Sequence, residues 1–255
     1  MNDPRPQEDQ LRGAQLRENQ LREVQLRDGL AAVRLRIAVA AAASGRDGEP
    51  ELIVVTKFHP AGDVRRLAAL GITDVGENRD QEASEKSLQL QDLGLRWHFI
   101  GQLQSKKAKS VVRYAHAVHS VDRPQLVTGL ERAVAAEQEK SGRSPLACFI
   151  QVSLDDDAGS HRGGAAPSDV PILAEQLASA EGLTLAGVMA VAPLGAEPDA
   201  AFERLAAISA RLTAEHPGAT GISAGMSQDL EAAIRFGATH LRIGSDILGW
   251  RPVVG

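Results

Sequence analysis

Residues 51–71 read ELIVVTKFHPAGDVRRLAALG and contain one complete strand–helix unit. The run from Leu52 to Val55 is apolar and rich in β-branched residues, which is typical of a buried strand. The stretch from Ala61 to Gly71 is typical of a helix that ends at a glycine. Lys57 stands at the end of the strand, although lysine is among the residues least often fully buried. The unit therefore predicts a strand and a helix with an ammonium group between them.

The same alternation of strand and helix recurs along the chain. We count eight short apolar runs, each followed by a stretch typical of a helix, and this order predicts parallel strands with crossover helices. Eight units in about 220 residues match a (β/α)8 barrel. An open doubly wound sheet is the alternative, but no GxGxxG motif opens a helix after the first strand. The predicted fold class is therefore α/β, a single (β/α)8 TIM-type barrel over residues 30–255. The eight runs are ELIVVTK, TDVGEN, RWHFIG, AVHSVD, LACFIQVS, TLAGVMAV, GISAGM and HLRIGS.

The first 29 residues differ from this pattern, because the triplet Gln-Leu-Arg recurs there every five residues. A five-residue step turns an α-helix by about 500°, so the repeated leucines spiral around the axis without forming an apolar stripe. We expect residues 1–29 to be a polar extension, partly helical or disordered, with a partner-binding arm as the alternative. From Leu30 the apolar residues recur at helical spacing, which predicts a helix that ends at Ser44 and Gly45.

Composition and charge exclude several functional classes. The net charge of −5 argues against a general binder of nucleic acids or anionic membranes. No run approaches the roughly 18 apolar residues of a membrane helix, so we expect a cytoplasmic protein. The single cysteine, Cys148, lies in an apolar run and is expected to act as a small hydrophobe. The seven histidines show no HxH or HxxxH spacing, and we expect no metal site.

Lys57 is the leading candidate for chemistry, because functional groups in such barrels gather at the carboxyl ends of the strands. Strand alternation places Ile53, Val55 and Lys57 on one face. If that face points to the barrel axis, the ammonium lies at the mouth, and partial desolvation frees its amine as a nucleophile. Such an amine can form a Schiff base with a carbonyl compound. Alternatively, Lys57 reaches solvent or pairs with Glu77 or Asp122.

The last strand of the predicted barrel continues as HLRIGSDILG, a strand, a Gly-Ser turn and a short helix. The N–H groups of Gly244 and Ser245 can bind a phosphate at the helix start, a common arrangement after strands seven and eight. Ser223 and Ser227 can add hydroxyl donors, whereas the alternative is an ordinary helix cap at Ser245. Together with Lys57, this site suggests a ligand with an aldehyde and a phosphate, pyridoxal 5′-phosphate (PLP).

Arg242 completes the predicted site, because it shares a strand face with Gly244. A guanidinium can only donate hydrogen bonds, so beside a pyridine nitrogen it keeps that nitrogen unprotonated and weakens the ring as an electron sink. The alternative is a salt bridge between Arg242 and either Asp229 or Asp246.

Seven motifs, at seven of the eight strands, resemble the PLP homeostasis protein family, whose members are related to the barrel domain of alanine racemases. The resemblance runs in order from about Leu30 to Gly249. Three residues at the rim of the mouth, Arg79, Gln102 and Lys107, depart from the residues that the family often shows. The motifs are VVTKFHP, GENRDQE, WHFIGQLQSKKAK, HSVD, GVMAVAP, SAGMSQDLEAAI and LRIGSDILG.

The resemblance implies a barrel that holds PLP as an internal aldimine on Lys57. It places Ser223, Gly244 and Ser245 at the phosphate and Arg242 at the pyridine nitrogen. No residue is assigned a catalytic role. The full set of predicted cofactor-binding residues is Lys57, Asn78, His98, Ser223, Met226, Ser227, Arg242, Gly244 and Ser245.

The family is regarded as regulating the supply of free PLP, without established turnover. We therefore expect a monomeric PLP carrier that serves vitamin B6 and amino-acid homeostasis, with apo forms of PLP-dependent enzymes as candidate partners. The alternative is an amino-acid racemase, which needs a second proton donor. In alanine racemases that donor is a tyrosine from a further domain. The single tyrosine here, Tyr114, is instead predicted at a helix–strand junction, and we expect no further domain in a chain that ends at Gly255. A class I aldolase is disfavoured, because aldolase lysines typically lie late in the barrel.

Overall fold

All eight predicted strands are present, and they close into a barrel of parallel strands in chain order. The computed structural model describes residues 5–155 and 163–250, with side chains from Arg12 onward. The predicted barrel is thus confirmed, and the open sheet is excluded. The strands are β1 (Glu51–Val55), β2 (Asp74–Glu77), β3 (Arg96–Phe99), β4 (Ala115–Val121), β5 (Leu146–Gln151), β6 (Leu183–Met189), β7 (Gly221–Ser223) and β8 (His240–Ile243).

Every strand is followed by an α-helix, as the alternation predicts. Pro124 and Pro198 occupy the first helical position of the two helices that they open, where the missing N–H costs no hydrogen bond. Short 3-10 helices cover Gln91–Leu93, Ser105–Lys107 and Pro167–Asp169. The α-helices in the described ranges are α1 (Arg5–Ala43), α2 (Ala61–Ala69), α3 (Asp80–Gln89), α4 (Ala108–Val111), α5 (Pro124–Ser141), α6 (Val170–Ser179), α7 (Pro198–Glu215), α8 (Leu230–Arg235) and α9 (Ser245–Leu248).

The main hydrophobic cluster lies between the strands and the surrounding helices and includes Val54 and Cys148. Burial raises the pKa of the Cys148 thiol to about 12, which agrees with its prediction as a small hydrophobe. A separate, small cluster of Ala117, Phe149 and Met189 belongs to the inward-facing side of the strands. Apolar packing inside the barrel is therefore limited, and buried polar side chains fill much of the remaining space.

The Gln-Leu-Arg repeat is part of α1, which runs without a break through the predicted boundary at residue 30. Leu26 is fully buried, whereas Leu16 and Leu21 are 56% and 72% exposed, so the repeated leucines do not share one face. Arg22 donates to Asp63 of α2 at 2.6 Å. The domain boundary itself stays a prediction, but the end of the repeat already packs on the barrel. In the described ranges no helix, α1 included, is long and apolar enough to cross a membrane.

Arg36 of α1 fastens three neighbouring segments near the carboxyl end of β8. Its guanidinium donates to Glu231 of α8 at 2.8 Å and to Asp246 of α9 at 2.7 Å. It also donates to the backbone carbonyl of Ser227, in the loop after β7, at 3.0 Å. One side chain of α1 therefore joins both loops that the sequence predicts around a phosphate.

Candidate cofactor site

Arg242 of β8 is a buried cation with uncharged partners. Its Nη1 donates to the Ser223 hydroxyl at 2.6 Å, and its Nη2 donates to the Ala190 carbonyl at 2.8 Å. Neither Asp229 nor Asp246 forms the alternative salt bridge, and across the described ranges no carboxylate oxygen lies within 4.0 Å of the guanidinium. Burial lowers the pKa of Arg242 from 12.5 to about 10. Because buried charges usually have a charged partner, this guanidinium suits an electron-rich or anionic ligand.

A chain of hydrogen bonds leads from Ser223 through the barrel interior to Asp74, the first residue of β2. The Ser223 hydroxyl lies 2.9 Å from His119 Nδ1, and His119 Nε2 lies 2.9 Å from His98 Nδ1. His98 Nε2 then lies 2.8 Å from Asp74 Oδ1, and the other carboxylate oxygen, Oδ2, accepts from Arg96. Burial alone raises the pKa of Asp74, but the hydrogen bonds from His98 and Arg96 outweigh it and hold the pKa well below its usual value.

His119 is neutral at pH 7, because full burial lowers its pKa well below 6.5 and nearby His98 and Arg242 add to the shift. Its ring stacks on Phe149, with 4.3 Å between the ring centroids. His119 lies within the HSVD motif, but the sequence reasoning did not select it as a site residue. Counting strand alternation from the inward-facing Ala117 would have pointed to His119.

We expect the free energy of unfolding to fall as the pH decreases from 7 to 5. His119 stays neutral in the folded protein and takes up a proton on unfolding once the pH is below 6.5, so the unfolded state binds more protons there. One such group removes about 1.4 kcal/mol of stability per pH unit below its unfolded pKa. Urea unfolding at several pH values measures this slope. The variant His119→Gln should lower this slope by about 1.4 kcal/mol per pH unit, the contribution of one proton. An unchanged slope would contradict a neutral His119 in the folded protein.

Lys57 lies two residues beyond the end of β1, half-buried, in the turn that leads into α2. The residues on either side of it are both anchored to α3. The Thr56 carbonyl accepts from Lys86 Nζ at 2.8 Å, and the Phe58 N–H donates to Glu82 at 2.6 Å. Phe58 has a φ of 68°, the one left-handed conformation at a non-glycine residue in the described ranges. This bulky residue is held in a strained conformation, so the turn is firmly defined.

Lys86 also forms a buried ion pair at the base of this turn. Its Nζ lies 2.7 Å from Glu77 Oε1 and 2.6 Å from Glu82 Oε1, and Glu77 is 1% exposed. Burial raises the pKa of Glu77, and the charge of Lys86 opposes that shift. The sequence offered Glu77 as an alternative partner for Lys57, whereas the structure gives this carboxylate to Lys86. Lys86 was missed because nothing in its local pattern sets it apart.

The remaining predicted residues lie at the carboxyl ends of β2, β7 and β8. Asn78 follows β2, and its Oδ1 is buried without a hydrogen-bond partner in the part of the chain that the structure describes. The hydroxyls of Ser227 and Ser245 lie 3.2 Å apart. Gly244 lets the turn before α9 approach β1 closely, since a Cβ there would lie 3.0 Å from the Val55 carbonyl oxygen. The predicted phosphate loops and Lys57 thus end at the same mouth.

Two predicted residues are less central. His98 lies inside the barrel, and both of its ring nitrogens are already engaged by Asp74 and His119. It reaches Ser223 only through His119. Met226 is 37% exposed in the loop after β7. Contacts between the nine predicted residues and a cofactor remain predictions.

Residues 29–252 match the family described as alanine racemase, N-terminal domain. The pyridoxal phosphate homeostasis protein of Mycobacterium tuberculosis is 46% identical over 237 residues, which cover 87% of this chain and 91% of the relative. This chain belongs to the pyridoxal phosphate homeostasis protein family. The family member from Pseudomonas aeruginosa is 40% identical and covers 88% of this chain and 95% of its own length.

A solved structure agrees with this membership. PipY of Synechococcus elongatus, solved with PLP bound, has a TM-score of 0.75 and 33% identity, and the match covers 88% of this chain and 100% of PipY. The resemblance to the pyridoxal phosphate homeostasis protein family that the seven motifs predict is therefore confirmed.

Proposed function

We propose that this protein binds PLP covalently through Lys57 and serves as a PLP carrier and buffer. The observation that carries the proposal is the buried guanidinium of Arg242, whose partners in the described structure are neutral, beneath the mouth that Lys57 borders. Lys57 is also the one lysine within two residues of the end of a described strand. The names of the relatives and the PLP bound to PipY support the same conclusion.

The residues present fit the chemical groups of PLP. The Lys57 amine can take the aldehyde, and Arg242 can donate to the pyridine nitrogen. The hydroxyls of Ser227 and Ser245, with the backbone N–H groups of the turn at Gly244, can hold the phosphate. The buried Asn78 Oδ1, which has no partner among the described residues, provides one further acceptor just after β2.

The surroundings favour storage of the cofactor over turnover. Bound PLP supplies an aldehyde that captures amines and a ring that can accept electrons. Arg242 would weaken the ring as an electron acceptor, because a group that can only donate hydrogen bonds leaves the pyridine nitrogen unprotonated. The chain's single tyrosine, Tyr114, hydrogen-bonds Asp80 at 3.4 Å and packs against the outer hydrophobic cluster. Burial raises the pKa of its phenol, so Tyr114 is not suited to the second proton transfer of a racemase.

Covalent trapping tests the attachment of PLP. Purified protein is incubated with PLP, reduced with borohydride, digested and analysed by mass spectrometry. We expect about one phosphopyridoxyl group per chain, on Lys57, because this half-buried residue lies in the turn at the mouth and its amine can form a Schiff base. The variant Lys57→Ala should lose this label, whereas Lys106→Ala, which removes an exposed lysine, should keep it. A colourless wild-type protein, or a label on another lysine, would contradict the proposal.

Transfer of PLP to an apo-enzyme distinguishes a carrier function from a racemase function. The PLP-loaded protein is mixed with an apo form of a PLP-dependent enzyme, and the recovered enzyme activity reports transfer. A parallel sample with L-alanine is followed by optical rotation. The carrier proposal predicts transfer and a constant rotation, whereas steady loss of rotation would favour the racemase.

A further inference from the structure

We propose that Asp74, His98 and His119 form a directional hydrogen-bond relay that positions Arg242 through Ser223. They act as positioning residues, because none of them needs to touch the cofactor. The inference rests on the proposed function in one respect, namely that Arg242 faces the pyridine nitrogen of PLP.

When each imidazole ring carries one proton, the two ends of the relay fix the direction of every hydrogen bond in it. Arg242 can only donate, so the Ser223 oxygen must accept from it, and the Ser223 proton is left to donate elsewhere. An ionised Asp74 can only accept, so His98 must carry its proton on Nε2. With both rings neutral, His119 Nε2–H donates to His98 Nδ1, and His119 Nδ1 accepts from Ser223. Every donor therefore meets an acceptor, with no conflict along the relay.

The relay is rigid because it is buried and supported along its length. Its members from Asp74 to Arg242 are each at most 5% exposed. Arg96 holds the Asp74 carboxylate at 2.6 Å, and Phe149 stacks on His119 at 4.3 Å between ring centroids. It crosses the barrel from β2 through β3, β4 and β7 to β8. A side chain at the far end can therefore determine the orientation of a group near the mouth.

The relay matters for Arg242 because the Ser223 hydroxyl can rotate. If His119 Nδ1 no longer accepts a hydrogen bond from Ser223, the Ser223 hydroxyl hydrogen can turn toward Arg242. It then repels the hydrogen on Nη1, and the hydrogen bond between Arg242 and Ser223 is lost. The guanidinium would then keep only its bond to the Ala190 carbonyl. We expect a freer guanidinium to bind PLP more weakly and to change the absorption of the bound cofactor.

Two substitutions at His119 separate positioning from packing. His119→Asn can place an amide oxygen near the former Nδ1, which keeps an acceptor for Ser223. His119→Gln places its amide near the former Nε2, which keeps contact with His98 but removes that acceptor. The dissociation constant for PLP should rise about tenfold in the Gln variant, the loss of one charge-assisted hydrogen bond, and stay within about threefold in the Asn variant. The absorption band of bound PLP should shift in the Gln variant alone. Equal affinities and equal spectra for both variants would overturn the relay.

A measurement on wild-type protein without cofactor tests the relay independently of PLP and of variant folding. Nitrogen-15 NMR of the imidazole rings should show both His98 and His119 with the proton on Nε2 and a bare Nδ1. A proton on Nδ1 of either ring would overturn the relay. Failure of wild-type protein to bind PLP would instead overturn the proposed function, and the two failures are thus distinguishable.

Discussion

Replacing Lys86 by methionine is expected to lower the free energy of unfolding by about 3–5 kcal/mol, because removal of one partner leaves a buried charge uncompensated. Glu77 is 1% exposed, and Lys86 is its one cationic partner within 4.0 Å in the described ranges. The substitution also removes the hydrogen bond from Lys86 to the Thr56 carbonyl. The same variant should therefore capture PLP more slowly, since Thr56 adjoins Lys57.

Urea unfolding of Lys86→Met measures the first effect. The matched control is Lys109→Met, which removes an exposed lysine of α4 and should change stability by less than about 0.5 kcal/mol. The double variant Glu77→Gln with Lys86→Met should recover part of the loss, because it removes both charges of the buried pair. A loss below about 1 kcal/mol in the single variant would show that the pair is not a strong contributor.

Gly187→Ala is expected to cost more than about 4 kcal/mol and to leave little folded protein, because the change combines backbone strain with a clash in the barrel wall. Gly187 of β6 has a φ of 147°, which disfavours a side chain. Its new Cβ would overlap the carbonyl oxygen of Gly221 and lie 2.6 Å from that residue's carbonyl carbon. The two glycines are paired across β6 and β7, so neither strand can withdraw without breaking the closed sheet.

Soluble yield and thermal unfolding by circular dichroism test this prediction. Gly218→Ala is the matched control, since a Cβ there would meet open space, and it should fold with nearly wild-type stability. If Gly187→Ala melted at the same temperature as Gly218→Ala, the close approach of β6 and β7 would be disproved.

Periodic features of the chain were sufficient to predict the fold and part of the site. Each apolar run became a strand, because a parallel barrel buries both faces of its strands and leaves near-continuous apolar sequence. The rule that function gathers at carboxyl strand ends then selected Lys57 and Ser223, and the strand face shared with Gly244 added Arg242. The last two form a hydrogen bond 2.6 Å long, although they come from different strands. Their contact with a cofactor stays a prediction.

The rest of the site depends on contacts that no local pattern contains. His119 meets Ser223 across a separation of 104 residues, and Lys86 meets Thr56 across 30. A single histidine or lysine has no spacing to compare, so only the closed barrel identifies its partner. For His98 the motif predicted a place near the cofactor, which stays a prediction, but it could not identify Asp74 and His119 as the partners of its ring nitrogens. The conformation of Phe58 was equally hidden, because a bulky residue gives no sequence signal for a positive φ.

The attachment of Arg36 has a consequence for exchange of the bound vitamer. One guanidinium on the first helix bridges the segments that follow the seventh and eighth strands. If release demands that either segment open, that segment must first break its hydrogen bonds to Arg36. If the proposed carrier role holds, unloading of PLP would be slowed by the need to break these hydrogen bonds.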